Sequence, residues 1–268
     1  IFVDVLPDQT MNPQLLEKII TKKTKAIMPV HLTGRVSEMK EINKIAKKYN
    51  IPVVEDAAQC VGSKHYGKPS GSLGSIGCFS AHPLKNLNAI GDSGYLTTNN
   101  FGIYKKAKEL RSHGMIDRDK VKNFGYVSRM DTLQAAVLNF RLKNLKEVIE
   151  KRRKNFELYD KYLDKKNVFF PQEKKYQFNT YHTFVIQVDR RDQLKKFLKS
   201  KNIATAIHYP RPIHLQPAAK YLGYKKGSFL CVENQAKRIL SLPIHQYLSQ
   251  KEIKYIADSV NYFFQKKI

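Results

Sequence analysis

The chain has 268 residues, a mass of 31.0 kDa and a formal charge of +25, from 48 Lys plus Arg against 23 Asp plus Glu. An apolar share of 42% and a charged share of 26% are ordinary for globular proteins and exclude a disordered or fibrous chain. No apolar run reaches the roughly 18–20 residues of a bilayer span, and no secretory leader pattern opens the sequence. Three cysteines without CxxC spacing (Cys60, Cys78, Cys231) argue against a disulfide framework or a zinc knot and fit a reducing, cytoplasmic setting.

The positive charge is mostly lysine, 37 against 11 arginines, spread in pairs from Lys22-Lys23 to Lys266-Lys267. Nucleic-acid readers gather their bases on one face and favour arginine for bidentate contacts. The spread therefore reads as a solvated surface, with attraction of a phosphorylated small molecule as the sharper alternative. Neither a nucleic acid nor a membrane is an expected partner.

In chain order, Ile1-Phe2-Val3-Asp4-Val5 reads as a strand already in progress, so the chain is expected to be a fragment or to have lost its natural start. Residues 26–30 form a short apolar run. Ser37 is placed to cap a helix carrying Met39, Ile42, Ile45, Ala46 and Tyr49 at helical spacing. Asn50 closes that helix, and Ile51-Pro52-Val53-Val54 opens a second strand. Strand, helix, strand in that order implies a right-handed crossover and a mostly parallel sheet. Ligands of such sheets lie beyond the carboxyl ends of the strands, which directs attention to His31, Glu55 and Asp56. Seven of the 13 glycines fall between Gly62 and Gly94, a loop-rich region with short strands expected at 77–81 and 94–98. A long helix is expected from Asp131 or Thr132, apolar on a wide arc and packed on more than one side. Its charged end, from Glu147 to Lys154, suggests a domain boundary near residue 150. Domains of 1–150 and 151–268 follow. The second is a small α+β unit with a strand over 182–188, a helix over 191–200, a strand over 204–209, a helix near 232–240 and a last amphipathic helix through Ile253, Ile256, Ala257, Val260 and Phe263.

Three features stand out chemically. Val54-Glu55-Asp56-Ala57-Ala58-Gln59 places an acid at the end of a strand with an amide three residues on. Gly77-Cys78-Phe79-Ser80-Ala81-His82-Pro83-Leu84-Lys85 sets a Ser and a Lys five apart in a loop, and Gly91-Asp92-Ser93-Gly94 leads into the next strand. Each alone is weak, because a strand-end Asp is often a cap and a loop Lys is usually solvated. His208 and His214 are six apart around two prolines without a nearby acid or cysteine in sequence, which argues against a metal site.

Taken together, these features resemble the pyridoxal-phosphate-dependent sugar aminotransferases of the DegT/DnrJ/EryC1/StrS family. Pro29-Val30-His31-Leu32-Thr33-Gly34, Ser112-His113-Gly114, the run Gly125 to Ala136, Ile207-His208-Tyr209-Pro210 and His214-Leu215-Gln216-Pro217 are similar to further landmarks of that family. The resemblance implies an α/β, fold-type I subunit, with a large cofactor domain whose first part is absent and a smaller α+β domain. It implies a homodimer transferring an amino group, with glutamate as donor, to a keto group of a nucleotide-linked sugar. It also implies roles for residues: Lys85 condenses with the cofactor aldehyde, Asp56 faces the ring nitrogen, Gln59 the ring oxygen and Ser80 the phosphate. His31, Tyr209 and Arg211 are candidates for the substrate side.

Elementary chemistry supports those assignments. A carboxylate at the ring nitrogen favours its protonated form, and a lysine amine is nucleophilic when neutral, which burial promotes. Two departures accompany the match. Val127 stands where the family carries an Asn expected to reach the partner subunit's phosphate, and valine has no donor. The family's Gly/Ser/Thr-rich phosphate turn, a helix-terminus anion site, has no counterpart in this sequence. The alternatives are a same-fold sugar dehydratase, in which the resemblance implies histidine in place of Lys85, and a non-catalytic paralogue with a basic surface.

Overall fold

A computed structural model describes residues 1–266. The first half holds α1 (Pro13–Ile19), α2 (Met39–Lys48), β1 (Val54–Asp56), β2 (Lys64–His65), β3 (Lys68–Pro69), β4 (Ile76–Ser80), β5 (Gly94–Thr97), α3 (Phe101–Leu110) and α4 (Thr132–Leu142). The second half holds α5 (Leu145–Tyr162), β6 (Gln177–Phe178), β7 (Phe184–Gln187), α6 (Arg191–Ser200), α7 (Leu230–Arg238), β8 (Ile239–Leu242) and α8 (Gln250–Gln265).

The expected crossover is present. Ile27 and Val30 bridge in parallel to Val53 and Asp56, and α2 connects the two segments. Helix α2 buries Met39, Ile42 and Ala46, one stripe at helical spacing, and turns its lysines to solvent. β1 pairs in parallel with β4, but β4 pairs antiparallel with β5, with Ser80 opposite Gly94. The sheet is thus small and mixed rather than mostly parallel. The reason is local: β4 and β5 are joined by a loop that folds back on itself, and a chain returning directly can pair only antiparallel. Ser37 does not cap α2. It is fully buried, and its hydroxyl donates to the Val30 carbonyl at 2.9 Å.

Residues 1–5 do not form the expected strand; within them only Val5 makes a bridge, antiparallel to Met11. The single long helix expected from residue 131 is two helices, α4 and α5, separated at Lys143 and Asn144. The two helices serve different clusters. Leu138 of α4 packs on Ala81, Leu87 and Ala89, whereas Phe156 and Tyr159 of α5 enter the C-terminal core. Helix α4 is not packed on several sides, since Leu138 is its one buried residue. Residue 150 lies inside α5, so the expected boundary has no linker. β6 moreover pairs with β2, carrying C-terminal chain into the N-terminal half. The expected strand at 204–209 is reduced to one bridge, Ala206 to Ser241. The helix expected near 232–240 ends at Arg238, where the chain straightens into β8.

The C-terminal core is built on the hairpin-like pair β7–β8, buried at every position, with α5, α6 and α8 packed around it. Helix α8 starts at a capping box, in which Ser249 and Glu252 satisfy each other's backbone N–H groups.

One buried group ties the N-terminal layer together. Period-two alternation along β1 puts Glu55 and Asp56 on opposite faces. Glu55 is fully buried and accepts from the N–H groups of Gly71 (2.7 Å), Leu73 (2.7 Å) and Gly74 (2.5 Å) and from His31 Nε2 (2.9 Å). Burial alone would raise its pKa, but these donors outweigh it and hold the carboxyl below the usual range. Glu55→Ala leaves four donors without an acceptor and is expected to cost about 3–5 kcal/mol. Urea unfolding of the variant checks this, and a loss below about 1 kcal/mol would show that Glu55 does not hold the layer.

Candidate active site

The carboxyl ends of β1 and β4 lie side by side, since Asp56 pairs with Cys78 two residues before Ser80. Beyond them lies a cavity of about 580 Å³ walled by Gln59, Ser80, His82, Lys85, Ser93, His182, Thr183, His208 and Tyr209, with Leu84 and Asp92 at its edge. The loop carrying Lys85 is closed by backbone bonds from Ala81 N–H to Ser93 O (2.7 Å) and from Ala89 N–H to Ala81 O (2.8 Å). Within it, Lys85 N–H donates to His82 O at 2.9 Å, and the Asn86 amide donates to Thr180 O at 3.1 Å. Lys85 is therefore presented by a braced turn rather than by a free loop.

Lys85 is half-buried, and burial pulls its pKa below the ordinary lysine value. Asp56 opposes that shift, so its charge reaches the amine although it is not itself on the cavity wall. One Asp56 carboxylate oxygen accepts from Ala58 N–H at 3.1 Å. The Gln59 carbonyl accepts from Thr33 N–H at 2.8 Å, which orients the side chain and leaves its amide NH₂ as the end free to donate. Ser80 Oγ accepts from His82 N–H at 3.3 Å, leaving its own O–H to donate.

The other half of the cavity comes from the C-terminal chain. Gly34, at φ +93°, lets this segment come close: a Cβ there would stand 2.5 Å from Tyr181 N and 2.8 Å from His182 N. Thr180 N–H donates to Gly34 O at 3.0 Å, and Ser63 and Thr180 share a hydroxyl bond of 2.9 Å. Arg152, buried on α5, donates to the carbonyls of Tyr181 and His182, both at 3.1 Å. This frame delivers His182 and Thr183 to the cavity. His182 is pushed down to about 3 by burial first and by the positive charges of Lys85 and Arg152 after it. His208 is lowered for the same two leading reasons, burial and Lys85, and its Nδ1 lies 2.8 Å from Ser241 Oγ. Three buried polar atoms of residues around the cavity, Ser93 Oγ on the Lys85 side and His182 Nδ1 and Thr183 Oγ1 on the other, have no hydrogen-bond partner in the protein.

Of the residues singled out from sequence, Gln59, Ser80, Lys85 and Tyr209 share the cavity, and Asp56 acts on it. Arg211 lines an adjoining cavity that shares His208 and Tyr209 with the first. His31 does not face the substrate side. It is fully buried, its Nδ1 accepts from Ser37 N–H at 3.3 Å, and its Nε2 therefore carries the proton donated to Glu55. His214 does have an acidic neighbour, Glu233 at 2.9 Å, supplied by α7 across the fold. Val127 is exposed, away from this cavity. Sequence reasoning missed His182 and Thr183, which opened an ordinary predicted strand and carry no local motif. Ser93 lay inside a quoted motif without a role.

The fold agrees with the comparisons. The chain belongs to the DegT/DnrJ/EryC1/StrS aminotransferase family. The family profile matches residues 1–261. The UDP-2-acetamido-2-deoxy-3-oxo-D-glucuronate aminotransferase of Pseudomonas aeruginosa is 37% identical over 258 residues, covering 96% of this chain and 71% of that protein. The structure of Streptomyces venezuelae DesV in complex with a ketimine intermediate superposes with a TM-score of 0.94 at 33% identity, over 97% of this chain and 71% of that one. The PLP-form of the sugar aminotransferase Spr1654 from Streptococcus pneumoniae superposes at 0.91 with 25% identity, over all of this chain and 76% of that one. The architecture is therefore the α/β, fold-type I arrangement of these aminotransferases, a PLP-dependent family acting on nucleotide sugars. Among the described residues no helix is long and apolar enough to cross a membrane.

The neutral state of His182 has a consequence for stability. Its folded pKa, about 3, lies below its ordinary value of 6.5. Between these values the unfolded chain binds a proton that the folded chain refuses, so stability is full above pH 6.5 and falls as pH drops towards 3. His182→Gln is expected to flatten the loss. Melting temperatures at pH 7 and pH 4.5 check this, and parallel declines in both proteins would show that His182 does not carry the effect.

Proposed function

We propose that the chain is a pyridoxal-phosphate-dependent aminotransferase that transfers an amino group, with glutamate as donor, to the keto group of a nucleotide-linked sugar. The observation that carries this reading is the half-buried Lys85 amine, under the charge of Asp56, in a cavity that also holds Gln59 and Ser80. The residues present fit the cofactor. Gln59 offers a free amide donor and Ser80 a free hydroxyl donor.

When bound, pyridoxal phosphate supplies the electron sink that stabilises negative charge on the carbon next to the transferred nitrogen. Lys85 Nζ would hold the cofactor and, once released by substrate, would carry the proton to and from that carbon. Its lowered pKa favours the neutral amine that both tasks require. Asp56 would supply the anion that keeps a pyridine nitrogen protonated. Gln59 Nε2 would donate to the oxygen borne on the cofactor ring and Ser80 Oγ to a phosphate oxygen. Tyr209, shared by the two cavities, and Arg211, on the wall of the second, serve the nucleotide-sugar side. The name of the Pseudomonas relative supports a nucleotide-linked substrate.

Borohydride reduction in the presence of pyridoxal phosphate is expected to fix the cofactor on Lys85, with loss of its visible absorption. Lys85→Ala abolishes the labelling, and Asp56→Asn keeps it while slowing turnover by about a hundredfold or more. Label and turnover surviving in Lys85→Ala would overturn the assignment.

A homodimer is part of the same reading. Phe124, Tyr126 and Val127 and, on α4, Leu133 and Phe140 leave large apolar surface in solvent, and such surface marks an association face. Sedimentation should give a dimer whose activity falls on dilution; a fully active monomer would refute it.

A further inference from the structure

Strand β8 is buried and apolar apart from one residue, Ser241, which is only 6% exposed. Antiparallel pairing sets Val185 of β7 on one side of Ser241 and Ala206 on the other. Directly paired residues are side-chain neighbours, and neither of these offers the hydroxyl a partner. The partner comes from two residues beyond Ala206, where His208 Nδ1 lies 2.8 Å from Ser241 Oγ. Among the described residues the Ser241 hydroxyl has no other hydrogen-bond partner. This settles the tautomer. A proton on Nδ1 would point at Oγ and leave the buried Ser241 O–H without an acceptor, whereas an unprotonated Nδ1 accepts from it. The proton of the neutral ring is therefore on Nε2. The ring lines the Lys85 cavity, and burial together with the Lys85 charge lowers its pKa and disfavours the charged form.

We propose that Ser241 is a positioning residue for the transfer: its O–H locks His208 in the tautomer protonated at Nε2, and that Nε2–H donates to a carboxylate oxygen of the amino donor at Lys85. The inference rests on the aminotransferase reading and deepens it. In an amino acid the α-carboxylate is bonded to the carbon that carries the transferred nitrogen. It therefore lies next to Lys85, whose charge already reaches His208. A donor without net charge suits a site that takes two substrates in turn. An arginine there would bind the carboxylate, but its charge would be left unpaired when a sugar replaces the amino acid, and an unpaired buried charge is costly. A neutral N–H serves a carboxylate oxygen in one half of the transfer and a hydroxyl oxygen in the other. The Ser241 bond keeps it a donor in both. The opposite tautomer would turn a lone pair towards the carboxylate and repel it.

Nitrogen-15 NMR of the whole chain, labelled at histidine and held at about pH 8 where a histidine is neutral, tests the tautomer without cofactor or turnover. The His208 ring is expected to carry its proton on Nε2. Ser241→Ala should shift it towards a mixture with the Nδ1–H form, and Ser241→Thr, which keeps the hydroxyl, should retain the original signal. Kinetics of the enzyme loaded with pyridoxal phosphate test the role. In Ser241→Ala the KM for glutamate is expected to rise roughly three- to tenfold, the worth of one hydrogen bond, with kcat changed less, and Ser241→Thr should restore it. His208→Gln puts an amide N–H near the place of Nε2–H, and in that background Ser241→Ala should have no further effect. The signal of the unaltered protein does not depend on a variant folding. An Nδ1–H form in that protein, a tautomer unchanged by Ser241→Ala, or an unaltered KM for glutamate would overturn the proposal. Borohydride trapping on Lys85 in the same preparation reports separately on the aminotransferase reading. Trapping beside an Nδ1–H ring sinks the Ser241 role alone, whereas a failure to trap sinks the aminotransferase reading and the role with it.

Discussion

A buried carboxylate holds this structure in register. Glu55 sits one residue before Asp56, fully enclosed, and gathers three backbone N–H groups of the 71–74 turn together with His31. Those contacts join the ends of two parallel segments to the turn that leads into β4. An unpaired charge at that depth would be severely destabilising, so the donors must arrive together. Once they do, Asp56 is held pointing the other way, and the strand end beside it presents Ser80 and then Lys85. The alternation of one strand thereby separates a structural acid from a functional one.

The cavity is completed by chain from far along the sequence. Thr180 to Thr183 cross the N-terminal layer where Gly34 leaves room, and they are held by backbone bonds, by Asn86 and by the buried guanidinium of Arg152. Arg35 adds a second clasp, donating to the carbonyls of Pro171 and Gln172 and to Gln177 Oε1. The same crossing segment that ties the two halves together also brings an uncharged imidazole beside the lysine. The site is therefore built from both halves of the chain.

Local signals read well wherever the cause was local. Helix α6 was legible to the residue, because Leu194 and Leu198 recur at helical spacing and are buried there. The Asp56, Gln59, Ser80 and Lys85 set was picked out by the family resemblance, and the structure brings Gln59, Ser80 and Lys85 to one cavity with Asp56 close enough to act on the amine. Helices α1 and α3 were overlooked although Asn12 and Asn100 cap them by accepting the N–H groups of Gln14 and Ile103. The break between α4 and α5 was not legible, since Lys143 and Asn144 carry neither Gly nor Pro to mark the end of a helix. His31 was misread for a related reason: the end of a strand has two faces, and the acid that captured His31 is fixed by tertiary contacts.

The sequence by itself determined the crossover and the helices with a regular apolar stripe, because hydrophobic spacing and short turns act over a few residues. The tertiary structure alone decided which polar groups meet. It gave His31 and Glu55 to the interior and brought His182 and Thr183 to Lys85. Those outcomes depend on desolvation and on contacts between segments well separated in the chain, and no local pattern encodes them.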